Sequence, residues 1–404
     1  MPDSNTDPQV QAKRPLLFTA FEPSGDARAA GVIAALLQRD PSVEIFACGG
    51  PRMEAAGATL IEETAVDGAM GLGALSHAMA VRKVQRNIAR WASRYRVVAH
   101  IAVDSPAANF PICRMMKKQG ACVAHLVAPQ LWAWGGWRIK KLRRLSDLVL
   151  CLLPFEESWF MSRQVNARFI GHPVINRSID EAELQQRRNT LPQGSPRILV
   201  LPGSRSGEVR KNTRMLVAAF TEIQGRFRGT TGLVVASDDR VARQVRKLVP
   251  AMPTGLHLAI GDLDAAINWC DLALTVSGTV TLDLARQTRP MIGVYKTDPL
   301  SWIGSKLLLR TRYKLLPNIV LRQEVVPEFV PCLGRVGPIV QEAAELLKDT
   351  RNLAKVSEGL RHVTKQFDGH DPDREAAEMI HLLITRGSVG FEAAMQQAET
   401  MPVA

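Results

Sequence analysis

The sequence predicts an α/β protein of two similar halves, each a parallel sheet with helices on both faces. Three observations lead there. Short apolar runs alternate with longer stretches of helical period, the pattern of repeated strand and helix units. The alternation runs through the first half and starts afresh near residue 198. The length, 404 residues, suits two domains of nearly equal size.

Taken in order, residues 1–14 are polar, lack the apolar stretch of a secretory signal and read as a loose tail. The first domain, 15–172, has strands expected at 16–20, 44–48, 97–103, 122–127 and 148–152, each followed by a turn and a helical stretch. Residues 173–196, rich in charge, Gln and Pro, form the expected linker. The second domain, 197–365, repeats the rhythm with strands expected at 198–201, 233–236, 256–260, 272–276 and 291–294. Residues 366–404 follow as C-terminal helices.

Composition narrows the class. With 46% hydrophobic and 22% charged residues, the chain is neither disordered nor collagen-like. No run of 18 or more apolar residues occurs, so no membrane span is expected. The net charge of +12 favours polyanionic partners: phosphates, nucleic acid or an anionic membrane surface. Cys48, Cys113, Cys122, Cys151, Cys270 and Cys332 lack CxxC or Cys/His ligand spacing, so they read as small buried hydrophobes in a reducing cytoplasm.

Open parallel sheets bind ligands outside the carboxyl ends of their strands, so the residues after each strand are the candidates. In the second half these are Pro202-Gly203-Ser204-Arg205 and Ser277-Gly278-Thr279. Glycine admits close backbone approach, a helix start offers free N–H groups, and Arg205 adds a forked cation, which together suit a diphosphate. Either turn alone is more often just a helix cap, but their equivalent places in one sheet favour the cradle. Neither matches the Gly-rich fingerprint of dinucleotide binding or the P-loop, which disfavours a nicotinamide cofactor and ATP hydrolysis. Asp262-Leu263-Asp264 resembles a metal-holding acid pair, yet Asp262 precedes a helical stretch and reads better as its N-cap. No metal is expected.

In the first half the turn 21–26 carries Glu22, Ser24 and Asp26, whose acids suit sugar hydroxyls or amides rather than phosphate. Asp104 ends a strongly apolar strand and is either a base for a substrate hydroxyl or the cap of the next helix. Trp132 and Trp134 share one loop. The eight histidines, His100, His125 and His172 among them, lack the helical pairing of metal ligands and read as mostly structural. Between 72 and 96, Val81, Val84, Ile88, Trp91 and Tyr95 form an apolar stripe, while Arg82, Arg86, Arg90 and Arg94 step by four beside it. Docking onto the protein's own sheet explains the stripe. The arginine row, with Met70, Leu72, Leu75 and Met79 before it, fits an anionic bilayer or acyl chains, and the stretch 302–313 is its counterpart.

The ordered motifs FEPSGD (21–26), CGGPRM (48–53), MG (70–71), VDSP (103–106), VAPQLWAW (127–134), LPFE (153–156), FIGHP (169–173), LPGSRSGEV (201–209), SGT (277–279) and YK followed by LPN (316–318) resemble bacterial lipid-A-disaccharide synthases. The resemblance covers about 15–385. It implies a GT-B fold, two Rossmann-like domains with parallel sheets facing a central cleft, and C-terminal helices that cross back or are exchanged between subunits of a homodimer. It implies an inverting, cofactor-free glycosyltransferase, cytoplasmic and peripheral on the inner face of the inner membrane, with no nucleic-acid partner. The implied substrates are UDP-2,3-diacylglucosamine and 2,3-diacylglucosamine 1-phosphate (lipid X). Asp104 is then the candidate base, with Glu22 and Asn318 as further catalytic candidates. Gly203, Ser204, Arg205, Ser277, Gly278, Thr279 and Asp283 fall on the UDP side, and Ser24, Asp26, Met70, Leu72, Trp132, Trp134, Arg82 and Arg86 on the acceptor or membrane side. Phe21, Ala74 and Ala107 depart from the family pattern there, and Asp283 stands for a ribose-binding glutamate. A different acyl sugar as acceptor, a UDP-N-acetylglucosamine epimerase or hydrolase, and a non-catalytic basic membrane-binding protein remain as alternatives.

Overall fold

The computed structural model describes residues 13–65, 74–297 and 311–400. The chain divides into two compact units. The first comprises Met1–Leu131, Gly136–Pro173 and Gly369–Ala404, the second Trp132–Gly135 and Val174–Asp368.

In the first unit, among the described residues, seven parallel strands are β1 (Arg14–Ala20), β2 (Val43–Gly49), β3 (Thr59–Glu63), β4 (Ala99–Val103), β5 (Cys122–Leu126), β6 (Leu148–Cys151) and β7 (Ala167–Phe169), in the order β3-β2-β1-β4-β5-β6-β7. Chain order reverses between β1 and β4, so the loops leaving their carboxyl ends flank the sheet's switch point. Strands β4 and β5 are buried along their whole length, as helices on both faces require. His100 and His125 lie within them, and burial pushes their imidazoles down to about 3 and about 4. They are neutral core residues.

Helix α1 (Pro23–Arg39) starts on a proline at its first position and sends Ala29, Val32, Ile33 and Leu36 into the core. Helices α2 (Pro51–Ala55), α3 (Ala74–Ala92), α4 (Pro106–Lys118), α5 (Ile139–Leu145) and α6 (Pro154–Met161) follow successive strands. In α3, Val84, Ile88 and Ala92 are buried, with Val81 and Trp91 packed beside them. Trp91 and Tyr95 stack at 4.9 Å and both lean on Phe46. The apolar stripe is thus spent on the protein's own sheet.

The second unit begins with α7 (Pro173–Asn176) and α8 (Glu181–Asn189). Its strands β8 (Arg197–Leu201), β9 (Thr231–Ala236), β10 (Leu256–Ile260), β11 (Leu272–Val276), β12 (Met291–Lys296) and β13 (Glu328–Cys332) run parallel in the order β10-β9-β8-β11-β12-β13. The switch point lies between β8 and β11. Helices α9 (Ser206–Arg226), α10 (Asp239–Leu248), α11 (Leu263–Trp269), α12 (Val280–Arg286), α13 (Leu316–Leu321), α14 (Gly337–Lys348) and α15 (Thr350–Lys365) surround this sheet. The final α16 (Pro372–Thr400), kinked at Gly387, returns to the first unit, where Ala376, Ala377, Ile380, Leu383, Ile384 and Phe391 join the core beside α1. No described helix is long and apolar enough to cross a membrane.

Candidate active site

At the first switch point, β4 ends on Val103, and Asp104 and Ser105 follow with φ of 49° and 40°. Two successive non-glycine residues in the left-handed region are costly, and they persist only where surroundings over-determine them. Here the backbone is pinned from several sides. Asp104 N–H donates to the Leu126 carbonyl at 2.9 Å, and Asn109 Nδ2 donates to the carbonyls of Val103 and Asp104 at 3.2 and 2.8 Å. Asn109 is itself held. Thr19 donates to its Oδ1 at 2.6 Å, and His100 Nε2 lies 2.8 Å from the Thr19 hydroxyl. Since that hydroxyl's single proton goes to Asn109, it accepts from Nε2–H, which fixes the tautomer of the neutral imidazole.

The Asp104 carboxylate is oriented in turn. Oδ1 accepts from Ser105 N–H at 2.8 Å, while Oδ2 faces Arg28 Nη1 at 3.4 Å. Ser105 donates to Glu22 Oε1 at 3.3 Å, so Glu22, Arg28, Asp104 and Ser105 form one polar cluster where β1 and β4 end. Ser24 lies exposed in the first turn of α1. Asp26 is a correction to the expected acceptor side. It is buried, and its two oxygens accept from the N–H groups of Gly50, Arg52 and Met53 at 3.0, 3.2 and 3.0 Å. That carboxylate caps α2, where orphan donors and the helix dipole favour it.

At the second switch point, Gly203 has φ +111°, and a Cβ there would stand 2.8 Å or less from Glu208. Arg205 is the N-cap of α9. Glu208 reaches back to it, accepting from Arg205 N–H at 3.4 Å and from Nη1 at 3.3 Å. The neighbouring turn places Gly278 and Thr279 at the surface, with open space where a Gly278 Cβ would stand. Ser277 donates to the Lys314 carbonyl at 3.1 Å. Lys314 N–H and Leu315 N–H donate to Glu328, which also accepts from Asn318 at 3.0 Å. Asn318 is fully buried, donates to the Val326 carbonyl and accepts from Val325 and Val326 N–H. Its amide is thus committed to the protein, and it shapes the segment that receives Ser277.

Asp283 lies 3.9 Å from Arg177, in a group that includes Arg286 and Asp264. Burial outweighs the two arginines and pushes its carboxyl up to about 6. Asp262 occupies the N-cap position of α11 but makes no capping bond, because its backbone is left-handed. It takes Arg187 instead, and Asp264 takes Arg177 and Arg286. Trp134, Arg82 and Arg86 are exposed and Trp132 half-buried. Met70, Leu72 and the stretch 302–310 lie outside the described residues. The cysteines are free, and burial pushes Cys48, Cys113 and Cys270 up to about 12.

Sequence reasoning missed Arg28, Thr19 and Glu328, which only the fold brings to these loops. Glu208 carried a signal: it stands three residues after the N-cap, the spacing of a reciprocal helix cap.

Comparison with known proteins gives concordant results. The family model described as lipid-A-disaccharide synthetase matches residues 16–380. A lipid-A-disaccharide synthase of Solibacter usitatus is 31% identical over 91% of this chain and 97% of its own length. That of Pseudomonas putida strain W619 is 30% identical over 91% and 97%, and that of Myxococcus xanthus 28% over 93% and 98%. Among solved structures, the S. aureus MnaA-UDP co-structure has a TM-score of 0.63 at 11% identity, covering 92% of this chain and 96% of that one. The kitacinnamycin glycotransferase has a TM-score of 0.61 at 12% identity over 91% and 98%; these two show the fold. With the family model spanning nearly the whole chain and curated relatives matched end to end, the chain belongs to the lipid-A-disaccharide synthase family of GT-B glycosyltransferases.

Proposed function

We propose that the chain joins UDP-2,3-diacylglucosamine to 2,3-diacylglucosamine 1-phosphate with inversion, releasing UDP and forming the lipid A disaccharide 1-phosphate. The observation that carries the chemistry is the placement of an oriented carboxylate at one switch point and of Arg205 with a helix start at the other. Asp104 Oδ2 takes the proton of the acceptor's primary hydroxyl as that oxygen attacks the anomeric carbon of the donor. The bond from that carbon to the diphosphate breaks on the opposite face, and its electron pair leaves with UDP. Arg205, the N–H groups opening the long helix α9, and the turn 277–279 neutralise the charge that builds on the diphosphate. Glu208 holds Arg205 by its backbone N–H and one guanidinium nitrogen, Asn318 and Glu328 fix the partner of Ser277, and Asp283 serves the ribose.

Glu22 and Arg28 line the acceptor side, Glu22 toward sugar hydroxyls and Arg28 toward the Asp104 carboxylate. The exposed arginines of α3 rest on an anionic membrane, where an enzyme of acyl sugars meets its substrates, peripheral on the inner face of the inner membrane. The working form is a homodimer.

The test incubates the purified chain, without added metal, with both substrates and follows UDP and disaccharide by mass spectrometry. Disaccharide is expected from the parent. Asp104→Asn should abolish transfer while UDP affinity stays within about a few-fold. Transfer surviving in that variant would remove Asp104 as the base, and UDP binding without disaccharide would redirect the search to another acyl-sugar acceptor.

A further inference from the structure

In the first unit, away from both switch-point clusters, the turn Gly136–Arg138 and helix α5 run ahead of β6, and α6 follows it. Between α5 and the residues that end α6 lies an open cleft of about 300 Å³, lined by Ile139, Lys140, Arg143, Ser162, Arg163 and Gln164. Three of those six are cations and none is an acid. Among the described residues, no carboxylate lies within ion-pair distance of Lys140, Arg143 or Arg163.

The two guanidinium groups are nevertheless held. Arg163 lies over the Trp159 ring, 4.1 Å from its centroid, and its Nη1 donates to the Trp159 carbonyl at 2.8 Å and to Ser162 Oγ at 2.9 Å. Arg143 Nη1 donates to Gln164 Oε1 at 2.5 Å. Their anchors are an indole face, a carbonyl, a hydroxyl and an amide, all neutral. Orientation is therefore fixed while the charge stays uncompensated, and most of the donors of each fork remain for a ligand. Just before the cleft in the chain, Trp137 is 76% exposed, with Arg138 over its ring.

We propose that this cleft binds a phosphate group, which two pre-oriented guanidinium forks and a lysine match in charge and geometry. Lipid headgroup phosphate is the source that the neighbouring tryptophan favours, since exposed indoles rest at the headgroup level of a bilayer. The site shares no residue with the transfer chemistry, so it stands whether or not Asp104 is the base.

The test uses the full chain, with Arg143→Gln/Arg163→Gln and Lys140→Gln as variants on the exposed surface. In one arm, inorganic phosphate is titrated against chloride of equal ionic strength and the unfolding midpoint is followed. The parent midpoint should rise and the double variant's should not, while Arg114→Gln/Lys118→Gln, which removes the same charge from the exposed face of α4, should behave as the parent. In the other arm, flotation on phosphatidylcholine vesicles with about 20 mol% phosphatidylglycerol should weaken about ten-fold in the double variant and less in Lys140→Gln. An effect in the phosphate arm alone supports the site with a free phosphate compound as ligand. An effect on vesicles supports the headgroup. Parent-like behaviour of the double variant in both arms overturns the proposal, as does loss of the phosphate effect in Arg114→Gln/Lys118→Gln.

Discussion

Asp104 combines a half-buried carboxylate with a backbone that an isolated peptide would avoid, and Asn109 is what reconciles the two. By donating to the carbonyls of Val103 and Asp104, it holds the turn that places Oδ2 beside Arg28. Asn109→Ala should therefore lower kcat by about ten- to a hundred-fold with the donor KM little changed, because geometry at the reacting oxygen is lost and the UDP side is untouched. Thr19→Val, which removes only the hydroxyl that orients Asn109, should act in the same direction more weakly. Steady-state kinetics decide it: a rise in KM with unchanged kcat would make Asn109 a mere binding residue. Asp283 offers a second residue-scale test. Its folded carboxyl titrates near 6, against 3.8 ordinarily. The folded state thus holds the proton more tightly, and the cost of ionising Asp283 grows from pH 4 to pH 6 and is full above it. Unfolding of Asp283→Asn in urea should show its stability relative to the parent improving by about 2 kcal/mol between pH 4 and 7. A pH-independent difference would mean that Arg177 and Arg286 offset the burial. Asp104 and Arg205 could be singled out from the sequence as candidates, because each lies in the loop that leaves an apolar strand, Asp104 directly after β4 and Arg205 four residues after β8. Thr19 and Arg28 were not, because their partners lie 90 and 76 residues away.

At the scale of elements, legibility followed burial. Strands sealed on both faces, such as β4 and β8, were visible as continuous apolar runs. Strands β3, β7 and β13 were not expected, and all three lie at sheet edges. Thr59–Glu63 ends in two glutamates, Ala167–Phe169 is three residues long, and Glu328–Cys332 contains a proline, which only an edge strand tolerates well. Helix α3 was read correctly as a surface helix docked by one stripe, whereas the capping role assigned to Asp262 failed because a left-handed residue cannot aim its side chain at the helix start. That the C-terminal helices cross back or are exchanged between subunits is what the family resemblance implied, but the contact by which α16 packs on α1 had a sequence signal only in hindsight. A Cβ at Gly31 would stand 2.1 Å from Asp373 Oδ2, so the two helices meet where one has no side chain. Gly31→Ala should cost about 1–3 kcal/mol through overpacking. Adding Asp373→Ala should recover most of that loss, since it removes the obstructing carboxyl. Denaturant unfolding of the two single variants and the double variant measures the coupling, and strictly additive effects would mean that the contact does not constrain the helices.

For the whole molecule, the consequence of α16 is that the last stretch of chain completes the first unit's core. Among the described residues, six of its side chains are buried there: Ala376, Ala377, Ile380, Leu383, Ile384 and Phe391. Burial of the four larger ones at about 1.5–3 kcal/mol each amounts to about 6–12 kcal/mol, comparable with the whole stability of an ordinary domain. A chain ending at residue 368 should therefore lose the cooperative unfolding of the first unit and keep that of the second, whose residues apart from Trp132–Gly135 form the continuous stretch Val174–Asp368. Calorimetry in the presence and absence of UDP assigns the transitions, because a ligand raises only the midpoint of the unit that binds it. The truncated chain should retain a UDP-sensitive transition and lack the other. Retention of both would show that α16 merely covers a core already closed. If partners exchange this helix in the proposed homodimer, each first unit keeps the same contacts with the helix supplied in trans. The first unit's midpoint in the full chain should then fall on dilution while the second unit's stays fixed, and a concentration-independent midpoint would place α16 on its own chain.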